Sequence, residues 1–194
     1  EKVWMDTYTA EVGQQTLRSY IPKQLLLVGS ASYNDDGSTT EGTAEGGRQI
    51  VLYSVNDFNF ELEQIQSYAH VMHHEFAHIL HQNVEYDAEF EKITPSYSSS
   101  WMQMNDETAR SKGFITAYAF SSADEDFAEM VSIMLTNSPE DWDNMIENAG
   151  NAAAVEALRK KEAIVVAYMK NNWGVNMKDF QKEVVAAIEA AVRN

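Results

Sequence analysis

His74-Glu75-Phe76-Ala77-His78 sets two imidazoles four residues apart, with a carboxylate beside the first. On a helix that spacing puts both rings on one face, where they can grip one metal ion. Glu75 then sits about a quarter turn away, within reach of a water on that ion, and can act as its base. This H-E-x-x-H pattern lies in the stretch His70 to Gln82, which holds all five histidines of the chain. At ~100° per residue with His74 at zero, His78 falls near +40°, His81 near −20° and His70 near −40°. Those four share a face, while His73 points about 100° off it and reads as structural. His70 and His74 are also four apart, but Val71 follows His70, so only the His74/His78 pair carries a candidate base. His70 and His81 are candidates for support behind the ligands or for lining a cleft.

Catalytic zinc takes three protein ligands and leaves a position for water. A third histidine in the pattern H-E-x-x-H-x-x-G-x-x-H is excluded, because His81 and Val84 stand at the glycine and final histidine positions. A carboxylate from a later helix remains, and Ala123 to Glu129 supplies several. Asp124, Glu125 and Asp126 point ~100° apart, so one helix cannot aim all three at one ion. Glu125 has an acidic partner one turn on, Glu129, with Phe127, Met130 and Met134 on the far side. That arrangement suits Glu125 as ligand and Glu129 as the carboxylate that orients a histidine through its other ring nitrogen. Glu129 as the ligand is the alternative, and an acidic first turn favoured by the helix dipole is the plain structural reading. Two histidines and a carboxylate also suit iron or manganese.

The elements that must hold these groups follow from periodicity. Leu62, Ile65, Ala69, Met72, Phe76 and Ile79 step by three and four, which predicts a helix from about Glu61 to Gln82. A second helix is expected over Asp124–Leu135, and Ser138-Pro139 opens a third. Two closing helices, near Ala152–Asn171 and Met177–Arg193, are split by Trp173-Gly174 and read as packing. The first third reads as strand and loop, with apolar runs at Gln24–Val28 and Arg48–Val55. Between them Ser30–Gly47 is rich in turn residues and reads as a hairpin connection. A calcium loop centred on Gly37 fails there, because Thr43 stands where a bidentate glutamate is required. A phosphate loop fails because Gly47 is followed by Arg48 and a strand.

The bulk numbers agree with one medium domain, residues 1–194, long enough for a sizeable core. Hydrophobic residues at 44% and aromatics at 11% are ordinary for a globular protein. Fourteen basic against thirty acidic residues give a net charge of −16, which argues against nucleic acid and anionic membranes as partners. Absence of cysteine excludes disulfides, thiolate ligands and a cysteine nucleophile. No run approaches the ~20 apolar residues of a membrane helix. The start at Glu1-Lys2-Val3-Trp4 reads as the mature part of a longer precursor.

H-E-x-x-H followed some 45 residues later by E-x-x-x-E resembles the gluzincin metallopeptidases, and EDFAE resembles the catalytic domain of lethal-factor toxins. PKQLLLVGSASYN, GTAEGGRQIVLYSVN, HHEFAHILHQ and GFITAYA…EDFAE together resemble a zinc-binding metallopeptidase family of bacterial lipoproteins. The match spans roughly residues 20–135. The resemblance implies a zincin-like α+β fold, with a small twisted sheet above the metal helix and a helical C-terminal half. It also implies Zn²⁺ as cofactor, a peptide or protein substrate, and neighbours in an outer-membrane nutrient-import system. Location in the bacterial cell envelope is implied too, although the family's lipid-anchored cysteine is absent from this chain. The gluzincin pattern places a tyrosine shortly before the third ligand, and Tyr118, seven residues ahead of Glu125, fits as a donor to an oxyanion.

The combined reading is peptide-bond hydrolysis through a metal-activated water, with His74, His78 and Glu125 as ligands and Glu75 as base. The strand Arg48–Val55 is expected at the sheet edge beside the cleft, where an extended peptide could pair with it. Two other classes stay open: a metal-containing binding module of an import system that cleaves nothing, and a structural helical protein without metal.

Overall fold

The computed structural model describes residues 1–35, 37–45 and 48–192. Asp36, the Gly46-Gly47 pair of the expected connection and Arg193 at the expected end of the last helix lie outside the described residues. The chain opens on a π-type turn, Lys2–Asp6, that runs into α1 (Thr7–Val12) and α2 (Gln14–Tyr20). This corrects the expectation of strand and loop through the first third. Trp4 and Tyr8, four residues apart, are buried and meet Phe76 edge-on at 5.4 and 4.8 Å, so an apolar helical stripe is what folds this segment.

Among the described residues five short strands follow: β1 (Gln24–Leu27), β2 (Ser32–Tyr33), β3 (Thr39–Thr40), β4 (Gly42–Glu45) and β5 (Gln49–Leu52). The main sheet has the order β1-β5-β4, and β2 and β3 form a separate antiparallel pair, in keeping with a hairpin between the two apolar runs. β5 is parallel to β1, with Ile50 opposite Leu25, and antiparallel to β4, with Ile50 opposite Ala44. The strand expected at the edge is therefore central. Ile50, Val51 and Leu52 are all buried, and a strand covered on both faces takes a partner on each side. The edges are β1 and β4, and β4 is the one beside the long helix.

That helix is α3 (Leu62–Asn83), within a residue of its predicted span. After it come α4 (Glu89–Ile93), α5 (Asp106–Arg110), a 3₁₀ turn at Tyr118–Phe120, α6 (Ala123–Thr136), α7 (Pro139–Glu147), α8 (Ala152–Trp173) and α9 (Met177–Val192). Ser138 caps α7, accepting from the Asp141 N–H, and Gly174 closes α8 at φ 73°, a left-handed conformation suited to glycine. Among the described residues no helix is long and apolar enough to cross a membrane.

The pair that positions the site is α3 packed on α6. Phe76 and Ile79 on one helix and Phe127 and Met130 on the other are fully enclosed in a common core. Burying each such side chain contributes about 1.5–3 kcal/mol. The sheet is fastened to α3 by Tyr68, whose hydroxyl donates to the carbonyls of Tyr53 and Ser54 at 3.2 and 2.9 Å. β4 comes so near α3 that a Cβ at Gly42 would lie 2.5 Å from Val71 Cγ1 and 3.4 Å from Glu75 Cγ. Only a residue without a side chain lets the strand pass this close to the H-E-x-x-H turn.

Candidate metal centre

Two turns of helix supply the cluster. α3 presents His74 and His78 one turn apart, and α6 meets them with its first turn. Ser122 caps α6, its hydroxyl accepting from the Glu125 N–H at 3.2 Å, which fixes Glu125 in that turn. His74 Nε2 lies 3.0 Å from Glu125 Oε2, His78 Nε2 lies 3.1 Å from the same oxygen, and the two Nε2 atoms are 3.1 Å apart. Two imidazole nitrogens so close need a cation between them, a proton or a metal. Zinc with bonds of ~2.0–2.1 Å holds tetrahedral ligand atoms about 3.3 Å apart, so this nearly equilateral triangle fits that ion in both spacing and donor type.

Behind the triangle lies a carboxylate. Glu129 Oε1 is 2.8 Å from His74 Nδ1, off the line of the ring N–H, so that contact is ionic more than a directed hydrogen bond. The same oxygen is 2.8 Å from His70 Nε2, and Oε2 accepts from the Thr116 hydroxyl at 2.6 Å. Glu129 thus touches the other nitrogen of His74, where the sequence placed its supporting role. His70, His74 and Glu129 also form a second group with donor atoms near one another, which keeps Glu129 as ligand a distinct arrangement to test. His78 is backed differently, by His81 Nε2 at 2.9 Å from its Nδ1.

The first turn of α6 sends its three acids three ways, as their ~100° spacing requires. Glu125 meets the histidines. Asp124 faces outward and accepts from the Tyr86 hydroxyl at 2.7 Å. Asp126 enters the core and pairs with Lys161 of α8, both fully buried. Lys161 also donates to the Gly113 carbonyl at 2.8 Å and sits 4.1 Å from the centre of the Phe114 ring.

A cavity of about 580 Å³ opens over the triangle, lined by His70, His74, Glu75, Glu125 and Glu129. Gly42 on β4 and the aromatic pair Trp101 and Tyr118, whose ring centres are 5.0 Å apart, complete its rim. Among the described residues its lining includes no lysine or arginine. Burial pushes Glu75 up from the ordinary carboxylate range, against the pull of His74 and His78. Burial works against charge on Glu125 as well, but the contacts from His74 and His78 outweigh it and hold this carboxyl down at about 2. Burial likewise opposes charge on His74, yet Glu125 and Glu129 lift it to about 10. Tyr118 is pushed above its ordinary value by burial and by the charges of Glu125 and Glu75, so its hydroxyl keeps its proton.

Of the candidate site residues, His70, His74, Glu75, His78, Tyr118, Glu125 and Glu129 come together here, while two of the five histidines stand away from the cavity. His73 is on the far side of α3, fully enclosed beside Tyr8 and Phe180, with Nε2 donating to the Val3 carbonyl at 3.1 Å. His81 is not in the cleft lining; it stands behind His78 between Tyr86 and Phe127, at ring distances of 5.5 and 6.0 Å. Ser122, Thr116, Trp101 and Lys161 escaped the sequence reading. Ser122-Ala123-Asp124-Glu125 carries the S-x-x-E signature of a helix start and could have been found. Thr116, Trp101 and Lys161 meet their partners only through tertiary packing and leave no local signal.

A zinc-type H-E-x-x-H helix joined to a glutamate helix beneath a small sheet defines a metallopeptidase-like architecture. A family model described as "Putative zinc-binding metallo-peptidase" matches residues 1–178, and the chain belongs to that family. The structure is similar to the crystal structure of a "putative zinc-binding metallo-peptidase" from Bacteroides caccae, with a TM-score of 0.83 and 34% identity. That similarity covers 100% of this chain and 75% of the other. Among curated proteins, none matches this chain significantly. The family is zinc-binding, and the residues gathered here are of the types zinc takes.

Proposed function

We propose that the chain is a zinc-dependent peptidase that hydrolyses peptide bonds by an activated water. The observation that carries this reading is the triangle of His74, His78 and Glu125 facing the same cavity as the buried carboxylate of Glu75. When bound there, zinc supplies Lewis acidity that makes a water acidic and polarises a carbonyl. His74, His78 and Glu125 would hold the ion, beside a cavity with room for water and substrate. Glu75, whose carboxyl is raised by burial, takes the proton from the attacking water and passes it to the departing amine. Tyr118 keeps its proton and offers it as a hydrogen bond to the oxyanion that develops on the substrate carbonyl.

The edge strand β4 borders the cavity through Gly42, and an extended peptide laid along it would gain main-chain hydrogen bonds. A peptide substrate agrees with the family's description as a peptidase. Residence in the bacterial cell envelope beside an import system belongs to the same proposal and rests on sequence resemblance alone.

The test is Glu75→Gln. This variant should keep its zinc and lose about 10²–10⁴-fold in peptide hydrolysis, the range for a lost general base. A zinc-loaded Glu75→Gln protein that cleaves as fast as the parent contradicts the assignment. A parent that holds zinc but leaves a broad peptide library intact favours the binding-module reading instead.

A further inference from the structure

To offer the Nε2 lone pair to zinc, His78 must carry its proton on Nδ1, and that proton needs an acceptor. The acceptor in place is another imidazole: His81 Nε2, 2.9 Å from His78 Nδ1 and one turn further along α3. His81 Nε2 can accept only while His81 keeps its own proton on Nδ1. That nitrogen faces Asp124 Oδ1 at 4.0 Å, too long for a direct hydrogen bond but close enough for the carboxylate to favour a proton on the near side. The Asp124 carboxylate is steadied in turn by the Tyr86 hydroxyl, which donates to the same oxygen at 2.7 Å.

We infer that His81 is a positioning residue that sets the tautomer of His78, with Asp124 setting the tautomer of His81. The inference rests on the reading of His78 as a zinc ligand. Its consequence is an asymmetric grip. His74 is backed by the buried carboxylate of Glu129, whereas His78 is backed by a neutral ring walled by Tyr86 and Phe127. The carboxylate that orders the second arm stands one step further out, on an Asp124 side chain that is 62% exposed. Asp124 immediately precedes Glu125, so one turn of α6 supplies both a ligand and the group that orders the ligand opposite.

Zinc affinity, measured by chelator competition on the full chain, tests this without reference to turnover. His81→Leu should bind zinc about 10–100-fold more weakly, the usual cost of losing a group that orients a ligand. His81→Gln, which restores an acceptor at that place, should recover most of the loss. Asp124→Asn should weaken binding by less than His81→Leu. A folded His81→Leu protein that binds zinc as tightly as the parent overturns the inference. Should His81→Leu fail to fold, ¹⁵N NMR of the zinc-loaded parent decides it. His81 is expected to be protonated on Nδ1 and bare on Nε2, and the reverse tautomer overturns the inference. A parent that takes up no zinc is seen in its metal content before any variant is made; it removes the metal reading and this inference with it.

Discussion

Two buried ionic clusters share the first turns of α6, one residue apart in sequence and facing opposite ways. Asp126 meets Lys161 in a fully enclosed pair, one carboxylate to one ammonium, with Tyr97 donating to the same carboxylate at 3.1 Å. Burial still raises Asp126 to about 6 and lowers Lys161, so each ion keeps its charge through the other. Glu125 meets two histidines at the floor of a cavity, with two more carboxylates, Glu75 and Glu129, close by. There acidic groups outnumber the fixed positive charges, and Glu125 and Glu129 hold the His74 imidazole protonated far above its ordinary range. Balanced charge in a closed core is the mark of a structural pair. Unbalanced acidic charge open to a cavity is the mark of a site that receives a cation.

Removing one member of each cluster should have different consequences in the two places. Glu125→Ala should abolish stoichiometric zinc binding, lowering affinity by more than about 100-fold, well beyond the loss for a supporting residue. Metal content after dialysis against a weak chelator reads this directly. Lys161→Met should leave the ligands in place but strand Asp126 without its partner. A cost of about 3–5 kcal/mol is expected in denaturant unfolding of the zinc-free protein. The double variant Lys161→Met with Asp126→Leu should regain much of that loss, because a well-packed apolar pair often replaces a buried ionic one without penalty.

A third effect belongs to the far face of α3. Burial holds His73 down at about 4 against an ordinary 6.5, so the folded protein keeps it neutral. A base with a depressed folded value stabilises the fold above its unfolded pKa, and that contribution is lost as pH falls from about 6.5 through about 4. About 3 kcal/mol of stability should disappear across that window. Replacing His73 with glutamine should flatten the fall of the unfolding midpoint between pH 6.5 and 4; an equally steep fall in the variant contradicts it. The smallest effect is at the surface. Lys92 and Glu89 form an exposed pair on α4, and Lys92→Ala should leave the unfolding midpoint unchanged.

What could be read from the chain follows the same division. The histidine face of α3 and the three-way split of Asp124, Glu125 and Asp126 were legible, because helical angle depends only on local spacing. Glu125 and Glu129 both lie where those angles put them, one against the His74/His78 pair and one on the far nitrogen of His74. Lys161 was not legible, since nothing in α8 distinguishes it from Lys160, which pairs with Glu156 on the surface. Only the packing of α8 on α6 decides which lysine is swallowed. The N-terminal turns were missed because two short helices broken at Gly13 give too few periods to register. β5 was placed at the sheet edge because alternation says which face is buried but not which neighbours flank a strand.

The central claim is that zinc sits between His74, His78 and Glu125. Crystals of the zinc-loaded protein, measured on both sides of the zinc absorption edge, test it most directly. The account predicts one anomalous peak within about 2.0–2.2 Å of His74 Nε2, His78 Nε2 and a Glu125 carboxylate oxygen, with Glu129 on the opposite nitrogen of His74. A peak instead among His70, His74 Nδ1 and Glu129, or no peak at the H-E-x-x-H face, would contradict it.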